Sequence, residues 1–177
     1  MDKLVTTPRG AVTIRPAQEA DVHAYRALRL EALRTHPEAF SADFAVNDGR
    51  PMTFWADRLR SLGRDGMIYF AARNNDLVGM CGIYRGDSQK TQHSATIVGV
   101  YIQSEWRGLQ IAEGLITECV EWARAHGVKI IKLGVAATNT AAIRCYVRCD
   151  FKVYGIEPQA ICYDGVMYDE LLMARPT

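Results

Sequence analysis

Residues 95–123 read ATIVGVYIQSEWRGLQIAEGLITECVEWA, and their hydrophobic pattern changes period at the centre. The first part, 95–102, is a nearly continuous apolar run rich in β-branched residues, which is typical of a strand buried in the middle of a sheet. From Leu109 to Ala123, apolar residues recur every three or four positions, which predicts a long amphipathic helix. The segment 103–108 therefore connects a central strand to a helix.

The flanking sequence predicts a mixed α+β domain. Strands are predicted at 12–15, 67–73, 77–84, 95–102, 129–135, 151–156 and 166–173, and helices at 22–36, 53–62, 109–125 and 140–149. Polar turns at 74–76 and 85–93 favour antiparallel neighbours, whereas the strand–helix–strand crossover around the long helix places two strands in parallel. We expect one mixed, largely antiparallel sheet of about seven strands with helices on both faces.

Length and charge limit the classes of function. A chain of 177 residues with 49% hydrophobic and 23% charged residues fits one globular domain, which we place at 11–177 behind a flexible tail at 1–10. The formal net charge of +1 is no footprint for a nucleic acid or an anionic membrane, so neither is expected as a partner. The amino-terminal residues lack the apolar core of a secretory signal, and we expect a cytoplasmic protein.

Five cysteines are scattered without a Cys-x-x-Cys pair, which favours reduced thiols in the core over disulfides or a metal site. No metal ligands are predicted.

The connection at 104–112 is one candidate binding site. A helix N-terminus has free N–H groups and a partial positive charge, so it can hold a phosphate without a basic patch. The segment contains neither the P-loop motif nor the dinucleotide-binding glycine pattern. An ordinary strand–helix connection is the alternative.

A second candidate is the short helix that begins near Asn139. Asn139 and Tyr146 are seven residues apart, two helical turns, so both lie on one face with Ala142 between them. Such a face can line a groove. A helix-capping asparagine and a half-buried tyrosine would give the same pattern.

Together, and in this order, the two segments resemble the GNAT superfamily of acyl-CoA-dependent N-acetyltransferases. Residues 107–112 are similar to its Q/R-x-x-G-x-G/A turn, and the helix from Asn139 is similar to its N-x-x-A-x-x-x-Y pattern, with Ala142 and Tyr146 in register. The resemblance extends over 12–173 in element order and is motif-specific over 95–151. The chain departs from the family at Gln110, where glycine is usual; we expect Gln110 in helical conformation with its N–H free.

The resemblance implies a GNAT-like fold in which the central strands 95–102 and 129–135 splay apart around acetyl-CoA. A bulge is expected near Gly99. The cofactor-binding residues implied are Val100, Tyr101 and Ile102 for the pantetheine arm by strand-like pairing, Arg107, Gly108, Leu109, Gln110, Ile111 and Ala112 for the pyrophosphate, and Asn139 and Ala142 on the short helix. Tyr146 would be the catalytic acid or hydrogen-bond donor to the leaving thiolate.

The implied reaction is direct attack of a primary amine on the thioester in a ternary complex. The amine must lose a proton, and the glutamate that family members often place early in the central strand is absent from 94–97. Glu31 and Glu38 near the end of the first helix, and Asp169 and Glu170 in the last strand, are the remaining carboxylates considered. Glu38 and Phe40 are assigned to the acceptor site.

Two other functions fit the same sequence. One is a catalytically idle acyl-CoA-binding sensor or interaction module, and the other is a nucleotide-binding regulator, which lacks a magnesium-holding motif. For an enzyme, the acceptor would be a small-molecule amine, a protein N-terminus or a lysine. The fold would also allow a homodimer.

Overall fold

A computed structural model describes residues 2–63 and 65–177. In this part of the chain, eight strands form one sheet in the spatial order β1-β2-β3-β4-β5-β6-β8-β7. The strands are β1 (Lys3–Thr7), β2 (Gly10–Pro16), β3 (Gly66–Arg73), β4 (Asp76–Arg85), β5 (Ser94–Ile102), β6 (Ile130–Ala136), β7 (Lys152–Tyr163) and β8 (Val166–Pro176). The helices are α1 (Val22–Thr35), α2 (Phe44–Asp48), α3 (Met52–Arg60), α4 (Ile111–Ala125) and α5 (Thr140–Arg148). No helix in the described ranges is long and apolar enough to cross a membrane.

Two apolar layers cover the two faces of the sheet. On one face, α4 and α5 pack over the centre of the sheet, with Leu115, Cys119 and Phe151 almost fully buried. On the other face, α1 and α3 pack over β3 and β4 around Trp55 and Phe70. The α+β class and the helices on both faces are confirmed.

The sheet divides between β5 and β6, its parallel pair. Ser94–Thr96 pair with Ile130–Lys132, and no further pairing between these strands occurs in the described residues. Beyond this point β6 continues to pair only with β8, so the edge of β5 that faces β6 is left open. The splayed central pair predicted from the sequence is confirmed.

A β-bulge bends β5 where it leaves β6. Met80 pairs with Tyr101 and Gly82 pairs with Val98. Two residues of β5, Gly99 and Val100, therefore lie opposite a single residue of β4, Cys81. Gly99 has a φ of +64°, a left-handed conformation that glycine adopts without steric cost. The bulge expected near Gly99 is confirmed.

The amino-terminal segment differs from the prediction. Lys3–Thr7 is a strand that pairs antiparallel with β2, so the flexible tail proposed at 1–10 is wrong for these residues. Gly10, at φ +111°, closes the hairpin, and Thr7 Oγ1 donates a hydrogen bond to its carbonyl at 2.7 Å. Pro8 and Gly10 mark a tight turn here, not a loose end, which raises the strand number from the expected seven to eight.

The cysteines also differ in part from the prediction. All five are free thiols; Cys81, Cys119 and Cys145 are buried as expected, whereas Cys149 is half-buried and Cys162 is exposed on β7. The prediction of core thiols therefore holds for three of them.

Candidate active site

A cleft of about 820 Å³ lies where β5 and β6 separate. All the predicted site residues line it except one. Those that do are Glu38, Phe40, Val100, Tyr101, Ile102, Arg107, Gly108, Gln110, Ile111, Ala112, Asn139, Ala142 and Tyr146. Leu109 does not line the cleft; it packs against the core beneath α4.

The N-terminus of α4 forms one end of the cleft. The first intrahelical hydrogen bond runs from Gly114 N–H to the Gln110 carbonyl at 3.1 Å, so the N–H groups of residues 111–113 have no acceptor within the helix. The Gln110 side chain supplies no cap bond. Free N–H groups and the helix dipole make this end of the cleft suitable for a phosphate group.

The backbone of Gln110 corrects one expectation. Gln110 has φ 60° and ψ 17°, so it is the left-handed residue before α4, not part of the helix. A side chain in this conformation costs about 1–2 kcal/mol relative to the ordinary helical region. The conformation explains physically why a glycine would suit this position.

The Arg107 side chain holds the turn together. Its Nε donates to the Ile102 carbonyl at 2.9 Å, and its terminal nitrogen lies 2.9 Å from His36 Nε2. His36 in turn lies 3.6 Å from the Glu38 carboxylate. The guanidinium thus connects the end of β5 to the loop after α1.

Asn139 is the N-cap residue of α5, and its side chain can cap the helix and bind a ligand at the same time. Asn139 Oδ1 accepts a hydrogen bond from Ala142 N–H at 3.1 Å and so caps the helix. Its amide NH2 is a separate group and is left for another acceptor in the cleft.

Tyr146 lies deeper on the same helix and is only 7% exposed. Its ring packs edge-on against Phe151, with centroids 6.1 Å apart. No protein hydrogen bond to its hydroxyl is found in the described part of the chain. Burial raises the pKa of Tyr146 well above its ordinary value, and nearby thiols add to the effect. The phenol is therefore a neutral donor at any physiological pH.

Arg144 and Arg148, both on α5, also line the cleft and were missed in the sequence. Arg148 binds the Glu113 carboxylate at the start of α4 through Nε at 3.0 Å. Arg144 and Arg148 are four residues apart, so they lie on one side of α5, the helix that carries the Asn139–Tyr146 pattern. This spacing is the sequence signal that could have pointed to them.

Two of the carboxylates considered as bases, Glu31 and Asp169, already accept hydrogen bonds from neighbouring residues. Glu31 accepts hydrogen bonds from the Tyr101 hydroxyl at 2.8 Å and from Gln103 Nε2 at 2.9 Å, so it is held in place by two donors. Asp169 accepts from Gln159 N–H at 2.8 Å and braces the irregular part of β7. Both are structural partners of their neighbours.

Glu170 has the environment of a proton acceptor. It is half-buried on β8, and a Cβ at Gly134, which lines the cleft, would lie only 2.5 Å from Glu170 Oε2. Glycine at this position therefore makes room for the carboxylate. Burial, with the charge of Glu157 adding to it, raises the pKa of Glu170. A raised pKa strengthens the carboxylate as a base.

Comparisons with known proteins agree with this geometry. The family model described as "Acetyltransferase (GNAT) family" matches residues 25–151. A mycothiol acetyltransferase of Brachybacterium faecium is 28% identical over 142 residues, which are 80% of this chain and 41% of that protein. The chain thus spans less than half the length of this curated relative.

Solved structures share the fold. A GNAT-family acetyltransferase from Streptococcus pneumoniae superposes with a TM-score of 0.83 at 21% identity, over 94% of this chain and 99% of the other. A ribosomal-protein-alanine N-acetyltransferase from Brucella melitensis gives 0.74 at 25% identity, over 93% and 99%. With its divided sheet, its uncapped α4 terminus and a family match over most of its length, the chain belongs to the GNAT acetyltransferase family.

Proposed function

We propose that the protein transfers an acetyl group from acetyl-CoA to a primary amine by direct attack in a ternary complex. The observation that carries the proposal is the cleft, which joins three features in one volume. They are the free N–H groups at the start of α4, the open edge of β5, and the buried hydroxyl of Tyr146.

The residues present fit acetyl-CoA. The N–H groups of residues 111–113 would hold the pyrophosphate, and Arg144 adds positive charge on the facing helix, whereas the charge of Arg148 is balanced by Glu113. The pantetheine arm would pair with β5 at 100–102 as an added strand, and the Asn139 amide would bind it from the other side. Bound acetyl-CoA supplies an activated thioester.

Tyr146 acts as a hydrogen-bond donor to the departing sulfur. Because burial raises the pKa of its hydroxyl, complete proton transfer to a thiolate, whose conjugate acid has a pKa of about 8.5, is unfavourable. A neutral donor in a buried site still stabilises the negative charge that develops on sulfur. The thiolate then takes its proton from solvent.

The acceptor amine must be neutral when it attacks. Deprotonation at pH 7 costs about 4.6 kcal/mol for a lysine-like amine and about 1 kcal/mol for the α-amino group of a peptide. We assign this proton to Glu170, whose raised pKa and position against Gly134, a residue that lines the cleft, suit it to act as a base. Bringing the amine and the thioester together contributes up to roughly 7–11 kcal/mol when they are aligned.

The test is release of CoA from acetyl-CoA in the presence of a panel of small amines and amino-terminal peptides. Chromatography is the suitable readout, since the exposed Cys162 would react with a thiol dye. Acceptor-dependent release supports the proposal. Binding of acetyl-CoA without release on any acceptor would contradict it and favour an acyl-CoA sensor.

A further inference from the structure

A second, smaller pocket of about 60 Å³ lies beside the β5 bulge. It is lined by residues of α1, α3, β3, β4 and β5. We call it the arginine pocket, and its polar and bulge residues are Tyr25, Arg29, Arg58, Tyr84, Val98 and Gly99. Because a water molecule occupies about 30 Å³ in the liquid, the pocket has room for a group the size of a carboxylate.

Both guanidinium groups carry buried nitrogens without partners. Arg29 Nη1 and Arg58 Nε are inaccessible to solvent, and neither makes a hydrogen bond within the described residues. No ion pair to either arginine is found in the same ranges. Burial lowers the pKa of Arg29, but an arginine remains charged in proteins. Each arginine as a whole is half-buried, so the two cations are partly desolvated side by side, and a charge withdrawn from water gains from a counter-charge.

The neighbouring side chains are phenols, not carboxylates. Burial acts to lower the pKa of Arg58, but Tyr25 and Tyr84 beside it outweigh burial and raise that pKa. A phenol is neutral at physiological pH, so these neighbours compensate the charge only in part. An anion that enters from outside would supply the rest.

The arginine pocket adjoins the acceptor side of the cleft. Val98 and Gly99 line both spaces. The Arg29 guanidinium also lies 4.7 Å from the ring centroid of Phe40, which lines the cleft. At Gly99, a Cβ would lie 3.6 Å from Arg29 Nη1, so glycine leaves no side chain of the bulge against Arg29 where the two spaces meet.

We propose that Arg29 and Arg58 bind a carboxylate of the acceptor, which makes the preferred acceptor a compact amine that bears a carboxylate, as an amino acid does. The inference rests on the proposed acetyl transfer. A guanidinium is suited to this task because its planar fork matches the two oxygens of a carboxylate. A protein N-terminus whose first residue is neither Asp nor Glu has no free carboxylate close to its amine, so it would leave both arginines unpaired.

The experiment compares acceptors that differ in the carboxylate alone. Each of several amino acids is assayed beside its amide and its methyl ester, with CoA release as the readout. The amide and the ester have the less basic amines, so a larger share of each is neutral at a given pH. A preference for the free acid therefore cannot come from easier deprotonation.

Variants then connect the preference to the pocket. In Arg29→Gln and in Arg58→Gln, kcat/KM for the amino acids should fall about 10- to 100-fold through the acceptor KM, the range expected for lost charge-assisted hydrogen bonds. The KM for acetyl-CoA and the rates with amides should stay the same. Arg34→Gln is the matched control for Arg29→Gln, because this substitution removes the same charge from an exposed residue of α1.

The outcomes separate the inference from the proposed function. Equal use of acids, amides and peptides, or an unchanged KM for amino acids in both variants, would overturn the carboxylate site while leaving acetyl transfer intact. Absence of release with every acceptor would overturn acetyl transfer, and the carboxylate site with it. The melting temperature of each variant distinguishes a loss of activity at the site from a loss caused by unfolding.

Discussion

The two ends of the cleft are built differently. The end proposed to bind CoA comes from two short stretches, 98–112 and 139–148, that lie on the ends of one strand and two helices. The proposed acceptor end draws on single side chains from elements far apart in the chain: Phe40 lines the cleft, Arg29 lines the adjoining arginine pocket, and Glu170 lies against Gly134. A site that binds its ligand through backbone groups is encoded in the sequence as a local motif. A site that binds its ligand through side chains from distant elements is encoded as isolated residues, and only the fold shows that they lie together.

Tyr146 lies where the two ends meet, and its loss should have the largest effect. Tyr146→Phe should lower kcat about 100-fold, because the leaving thiolate loses its donor. The KM for acetyl-CoA should change little, since the ring and its packing on Phe151 remain. Steady-state kinetics with the best acceptor measures both values. Tyr163→Phe, at an exposed residue of β7, is the control, and an unaltered kcat in Tyr146→Phe would remove the hydroxyl from the mechanism.

Glu170 tests whether the acceptor end supplies a base. Glu170→Gln should lower kcat/KM about tenfold at neutral pH, less than a complete loss because amine that is already neutral can still react. The wild-type kcat/KM should fall as the pH drops through the raised pKa of Glu170, where the carboxylate gains a proton.

Glu157→Gln tests the assignment of Glu170 as the base through the pH profile of kcat/KM. Glu157 pairs with Glu170 across β7 and β8, and its negative charge contributes to raising the Glu170 pKa. Removing the charge should move the acidic limb of the pH profile to lower pH without abolishing activity. A limb that stays in place would show that another group takes the proton.

Asn139 separates capping from ligand binding at the CoA end. Asn139→Asp keeps the oxygen that caps Ala142 N–H but loses the amide donor, so the KM for acetyl-CoA should rise about 3- to 10-fold with the melting temperature preserved. Asn139→Ala should raise the KM and also cost about 1 kcal/mol of stability. Equal melting temperatures for the two variants would contradict the capping role.

Gln110 gives the smallest expected effect. Gln110→Gly should increase the free energy of unfolding by about 1 kcal/mol, because glycine adopts φ 60° without a steric cost. Gln110→Ala keeps a side chain in the left-handed conformation and should show no such gain. Denaturant unfolding compares the three proteins, and a gain in both variants would point to a cause other than the backbone.

The same division explains what the sequence could predict. The period change within 95–123 predicted β5 and α4, because that pattern is local. The divided strand pair and the proposed CoA-binding residues were implied by the family resemblance that residues 107–112 and the Asn139–Tyr146 spacing carry. The conformation of Gln110 was not predictable, because a left-handed glutamine has no signature of its own.

Arg29 was detectable in part. Its spacing of four from Tyr25 places it on the buried face of α1, and a charged residue on such a face is a reason to look for a partner. Its meeting with Arg58 and Gly99 depends on how α1, α3 and β5 pack together, which no local pattern encodes. Glu170 was set among the surface acids for the same reason.

The first strand bears on how molecules of this protein meet one another. β1 covers the backbone N–H and C=O groups of β2 that would otherwise form the border of the sheet. It is itself a five-residue strand that begins with Lys3, and a short, charged strand is a poor template for another chain. Removing β1 by trimming the protein to begin after Thr7, within the tail predicted at 1–10, would uncover the seven-residue strand β2 and favour self-association through the sheet edge.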